Sequence, residues 1–138
     1  MCQFYGSGEN NATHIIHNNL FHDNQGDGLS LRGTDDAIVQ ITNNTIARCG
    51  DNLIRLNGSL GMRKEHIVNM NVLIEPRMNI SYFDNRAYIY IENNASVKEG
   101  TGAQANVKIR TVVEAKVNVN DFYQPVSGSP VGNAGYRK

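Results

Sequence analysis

His14–Thr34 reads HIIHNNLFHDNQGDGLSLRGT and Val39–Ser59 reads VQITNNTIARCGDNLIRLNGS, and the two superpose without a gap at a shift of 25 residues. Asn18/Asn43, Asn19/Asn44, Leu31/Leu56 and Gly33/Gly58 are identical, and Ile16/Ile41, Phe21/Ile46 and Leu29/Ile54 keep their apolar character. Further copies extend outward from this pair. Ile89–Asn94 (IYIENN) follows Val39–Asn44 (VQITNN) by 50 residues, two periods. Val68–Leu73 fits between them with a slip of about two residues, and Ile80-Ser81-Tyr82 follows Ile54-Arg55-Leu56 by 26. A last, weaker copy, Val117–Asn120, stands 26 residues after Ile91–Asn94. The pattern predicts about five units of roughly 25 residues, each with two or three short strands alternating apolar and polar residues. One such unit cannot bury its apolar face alone, whereas stacked copies set like residue on like residue and share one continuous core.

The composition agrees. The chain has 138 residues, enough for one domain, with 19 Asn, 13 Gly and only 3 Pro. Asn and Gly are poor helix formers but serve turns well. A buried Asn amide can also bond to its copy one coil away, because coils stack at the strand spacing of about 4.8 Å. Helical solenoids of similar period need denser Leu or Ala-rich helices, and neither pattern is present; a β-sandwich is the remaining competitor. The balance of 13 basic and 13 acidic side chains removes the electrostatic case for nucleic acid. No apolar run approaches the roughly 20 residues needed to span a bilayer. The first residues show no signal-peptide pattern. Cys2 and Cys49 stand 47 residues apart, a spacing that allows a pair but matches no metal or redox motif, and Cys49 is expected as a free, buried thiol.

The units Ile-Thr-Asn-Asn-Thr-Ile and Gly-Asp-Gly-Leu-Ser-Leu resemble the repeat of right-handed parallel β-helix proteins of the pectate-lyase-like superfamily. Gly128–Gly135 (GSPVGNAG) resembles the segment that often closes such domains. The expected organisation is an irregular lead-in over 1–13, β-helix coils over 14–122 and a closing segment over 123–138. The resemblance implies a C-terminal portion of a longer β-helix, acting outside the cell or on a virion. It also implies polysaccharide substrates handled in a groove along one stacked sheet, with Ca²⁺ as the cofactor that some relatives use.

Individual residues carry less. The register sets Ser30, Arg55 and Ser81 in one outward row, with Arg55 as the best-placed cation for an acidic sugar. Alternation about Ile89 and Ile91 turns Tyr88 and Tyr90 outward, where their rings could stack on sugars. Lys64, His66, Glu75 and Arg77 gather around the longer third unit. Asp27 and Asp51 sit at matching turns and read as turn residues rather than a hydrolase's acid and base. His14, His17 and His22 point in different directions and do not make a metal site. Five sequons occur, at Asn11, Asn43, Asn57, Asn79 and Asn94; the repeat accounts for Asn43 and Asn94, leaving Asn57 and Asn79 as the candidate glycosylation sites.

Two functional readings follow. One is a carbohydrate-binding or polysaccharide-processing β-helix. The other is a non-catalytic structural β-solenoid of a spike, adhesin or filament. In both, the exposed first coil should pair with upstream coils or with another copy.

Overall fold

The computed structural model describes residues 2–5 (backbone only), 13–32, 38–58, 65–77, 85–93 (side chains from 87 on) and 95–138. Among the described residues twelve short strands alternate among three sheets. Sheet A holds β1 (Cys2–Tyr5), β4 (Leu29–Arg32), β7 (Ile54–Asn57) and β10 (Ile89–Glu92). Sheet B holds β2 (Thr13–His17), β5 (Ile38–Thr42), β8 (His66–Asn69) and β11 (Val97–Glu99). Sheet C holds β3 (Leu20–His22), β6 (Thr45–Ala47), β9 (Val72–Ile74) and β12 (Val107–Ile109). Every pairing within these sheets is parallel, and the chain visits A, B and C in turn, so the fold is an all-β parallel solenoid.

Pleating sends alternate side chains inward, and stacking turns them into columns: Leu29–Ile54–Ile89, Ile16–Ile41–Val68 and Phe21–Ile46–Leu73. Leu29, Ile41, Ile46, Ile54, Val68 and Leu73 are wholly buried in one core. The bends use left-handed backbone. Asn18, Asn43 and Met70 turn the chain from sheet B to sheet C, at φ 54°, 55° and 55°. Asp23, Arg48 and Glu75 turn it after sheet C, at φ 52°, 57° and 51°. Their N–H groups still donate to the next coil, as from Asn18 to Thr42 O at 3.2 Å and from Asp23 to Ala47 O at 3.1 Å, so the ladder continues round the corner.

Beside the first bend runs a column of amides, Asn19–Asn44–Asn71–Asn106, spaced 25, 27 and 35 residues apart. The Oδ1 of Asn44 accepts both the backbone N–H and the Nδ2 of Asn19, at 2.9 and 3.1 Å. Asn71 does the same for Asn44, and Asn106 for Asn71. Three of the Nδ2 groups also donate to a backbone carbonyl of the preceding coil: Asn44 to Ile16, Asn71 to Ile41, Asn106 to Val68.

The widening spacing corrects the later part of the repeat. Ile89–Glu92 does not lie on Val39–Thr42; it pairs with Ile54–Asn57 in sheet A, 35 residues on, and the last ladder amide is Asn106 rather than Asn94. Ile80-Ser81-Tyr82 lies outside the described residues. Val117–Asn120 is no coil either. There β13 (Val117–Asn118) pairs antiparallel with β14 (Gln124–Pro125), after α2 (Val112–Ala115) and a left-handed Lys116 reverse the chain. Each sheet therefore has four strands among the described residues, against about five expected coils. The coils end near Ile109 rather than at 122, and the lead-in contains β1, paired with β4.

After Ile109 the chain runs back as a strap over the outer face of sheet C. Ala47, Val72, Ile74 and Ile109 pack there against Ala115, Tyr123, Val131 and Ala134 in a second core. Polar ties fix its path. Tyr136 N–H donates to Thr45 Oγ1 at 2.9 Å, and Arg137 exchanges two bonds with the Asn18 side chain, at 2.8 and 3.0 Å. Tyr123 OH donates to Asp23, and burial together with that carboxylate pushes its phenol up to about 12. Burial alone would raise the Asp23 carboxyl, but bonds from His22 and Tyr123 and the Arg48 charge hold it below the usual range. Gly135 closes the strap at φ 83°, where an added Cβ would stand 2.6 Å from Val72 Cγ2 and 2.7 Å from Thr45 Oγ1. Gly135→Ala should cost about 2 kcal/mol or more through left-handed strain and this clash. Hydrogen exchange should show the loss first in 112–138, with the Asn44 and Asn71 amides still protected.

Candidate functional site

With sheet C covered by the strap, the outward row predicted around Arg55 lies on sheet A. Its register is Ser30, Arg55, Tyr90. Arg55 and Tyr90 are thus neighbours on adjacent strands, and the guanidinium carbon sits 5.7 Å from the centre of the Tyr90 ring. This is a cation–π distance.

Arg55 is not a free cation. Its Nη2 and Nε hold both oxygens of Glu92, at 2.6 and 3.2 Å, and its Nη1 lies 3.6 Å from the Asp27 carboxylate. The Glu92 hydrogen bond is the main cause of a guanidinium pKa raised above its ordinary value, against the opposing effect of burial. Its side chain is 26% exposed. Asn57 donates to Glu92 at 2.9 Å and accepts from Asn93 at 2.7 Å, which extends the lattice along the strand ends.

Asp27, only 2% exposed, accepts the backbone N–H and the Nδ2 of Asn52, both at 3.2 Å. It is a turn residue as expected, but its partner one coil away is Asn52, not Asp51. Ser30 belongs to the row yet is buried.

Tyr88 leaves the row. It ends α1 (Asn85–Tyr88) and is buried in the main core. Leu53 N–H donates to Ala87 O as Gly28 N–H donates to Asn52 O, which puts Tyr88 over Leu53 at the inward corner before the strand. Alternation holds only from Ile89 on, so counting back through the helical turn gives the wrong side.

The amide of Asn57 is engaged at both ends, so a glycan on its Nδ2 would displace Glu92. Asn79, Lys64, Ser81 and Tyr82 lie outside the described residues. His66 is buried within sheet B, Glu75 accepts Val112 N–H at 2.9 Å, and Arg77 stands 3.6 Å from Asp23. His17 pairs with Thr42 at 2.9 Å and His22 with Asp23 at 2.8 Å. Cys49 is a buried free thiol, and its burial pushes its pKa up.

Among the described residues no three His, Cys, Asp or Glu side chains gather where they could share a metal ion. The carboxylates of Asp23, Asp27 and Glu92 each face an arginine instead. That donor set does not suit Ca²⁺, which needs several free oxygens. Sequence reasoning missed Glu92, Asn57 and Asn93 as members of this surface. Tyr90 and Glu92 share one outward parity, as do Arg55 and Asn57, and only the pairing of β10 with β7 brings the four together.

No family model, curated protein or solved structure matches the chain. Among the described residues no helix is long and apolar enough to cross a membrane.

Proposed function

We propose that the chain is a carbohydrate-binding parallel β-helix domain resembling the pectate-lyase-like proteins, acting outside the cell or on a virion surface, with its site on the outer face of sheet A. The observation that supports this is Tyr90 beside Arg55, Glu92, Asn57 and Asn93. An aromatic face next to fixed carboxylate, guanidinium and amide groups suits a hydroxyl-rich ring: the ring stacks while its hydroxyls exchange hydrogen bonds. Because Glu92 already holds the Arg55 fork, an acidic sugar would have to displace it. Neutral glycans are therefore the better ligands. The reading is one of binding. Asp27 is buried and bonded to Asn52, a structural setting rather than that of a general acid or base.

A glycan array with neutral and uronic-acid ligands tests this. Tyr90→Ala should weaken binding about tenfold, the equivalent of about 1.4 kcal/mol. Arg55→Ala should also weaken it, by releasing Glu92. Binding unchanged in both variants would place the site elsewhere. A structural solenoid, paired at its first coil with upstream coils or another copy, is the second reading. It is favoured by one feature: the Asp27–Arg55–Glu92 network joins three successive coils and is complete without a ligand. Failure to bind any glycan would select it.

A further inference from the structure

At the last coil the inward columns change character. The column Ile16–Ile41–Val68 ends in Glu99, and Phe21–Ile46–Leu73 ends in Lys108. These two side chains meet at 2.8 Å, and Glu99 Oε1 also accepts Asn106 Nδ2 at 3.1 Å. Asn106 is the last amide of the ladder, so one carboxylate ends both an apolar column and the ladder.

Part of this end face is open to solvent, although Ile89, which ends the column Leu29–Ile54–Ile89, is buried. Ile91, next above Leu56, is 46% exposed, and among the described residues β10, β11 and β12 are the last strands of their sheets. Three parallel strand edges over an apolar core would form a template for another coil. A charged pair at the inward positions opposes this, because a coil stacked on top would bury both charges away from water.

We propose that Glu99 and Lys108 are a terminator: the pair closes this face of the solenoid against stacking by a second copy of the chain. The assignment needs no ligand and stands apart from the saccharide reading. With the pair in place the face takes a second copy only weakly, while with the apolar columns restored it takes one more tightly.

Sedimentation velocity of the whole chain tests the proposal. Glu99→Val with Lys108→Leu continues both columns and should lower the concentration at half-association about tenfold, as expected from burying one or two more apolar side chains. Lys98→Leu, at the exposed position next to Glu99 with the opposite strand parity, adds apolar surface outside the columns and should leave the sedimentation profile as in the wild type. A milder pair, Glu99→Gln with Lys108→Gln, removes the charges at nearly constant size and should shift association in the same direction, which covers the case where the first variant fails to fold. Unchanged sedimentation of a folded column-restoring or Gln pair, or equal association of Lys98→Leu, would overturn the terminator.

Discussion

Ile41→Asp is expected to unfold the protein. Ile41 is wholly buried between Ile16 and Val68, and its carbonyl accepts the ladder amide of Asn71. A carboxylate there has no cation in the column and no route to water, so it must be buried charged or take up a proton at large cost. The loss should exceed about 4 kcal/mol, a large share of the stability of a domain this size. Ile41→Val keeps the column and should cost only about 1 kcal/mol. Thermal melts followed by circular dichroism check both. A near-normal melt for the Asp variant would mean that residue 41 faces solvent and that sheet B is in the wrong register.

Asn44→Leu should be nearly as damaging, although Leu matches Asn in size and is apolar. The wild-type amide accepts from Asn19 N and Nδ2 and donates to Ile16 O, Thr42 O and Asn71 Oδ1. Leucine leaves the Asn19 N–H and the Ile16 carbonyl without these partners inside the bend. Orphaned groups of this kind cost about 1–3 kcal/mol each, so a loss of about 3 kcal/mol or more is expected in denaturant titrations. Its neighbour supplies the control. Asn43 is the left-handed residue of the same bend, and Asn43→Gly keeps that backbone, so the change should stay within about 1 kcal/mol. Equal effects at the two positions would show that the asparagines serve only the turn, with no amide ladder.

The sequence carried the fold where coils are equal in length. Asn19 over Asn44, Ile16 over Ile41 and Leu29 over Ile54 all follow from a shift of 25 and appear in the register. Legibility failed where the coil lengthens. Between β7 and β10 the spacing is 35, and Ile89–Asn94 looks enough like Val39–Asn44 to be laid on it, although the two belong to different sheets. A period-2 pattern fixes which face a strand buries but not which sheet it joins. That is why the outward parity of Tyr90 can be read from the sequence while its contact to Arg55 cannot. Tyr88 failed for another reason: four residues of helix precede the strand, and strand parity does not carry through them. The strap was legible only as a closing segment, since its cover over sheet C depends on apolar residues at the outward positions, such as Ala47 and Ile74.

The chain is a parallel solenoid whose coils lengthen from 25 residues between Asn19 and Asn44 to 35 between Asn71 and Asn106. Scalar couplings across backbone hydrogen bonds, read by long-range HNCO spectroscopy, test it most directly because each cross-peak names one donor and one acceptor. The structure predicts cross-peaks from Leu29 N to Leu53 C′, from Leu53 N to Ala87 C′, from Val72 N to Asn44 C′ and from Val107 N to Asn71 C′. Cross-peaks that instead joined Ile89–Glu92 to strands of sheet B, or that showed antiparallel partners along Leu29–Arg32 and Ile54–Asn57, would contradict the stacked-coil architecture.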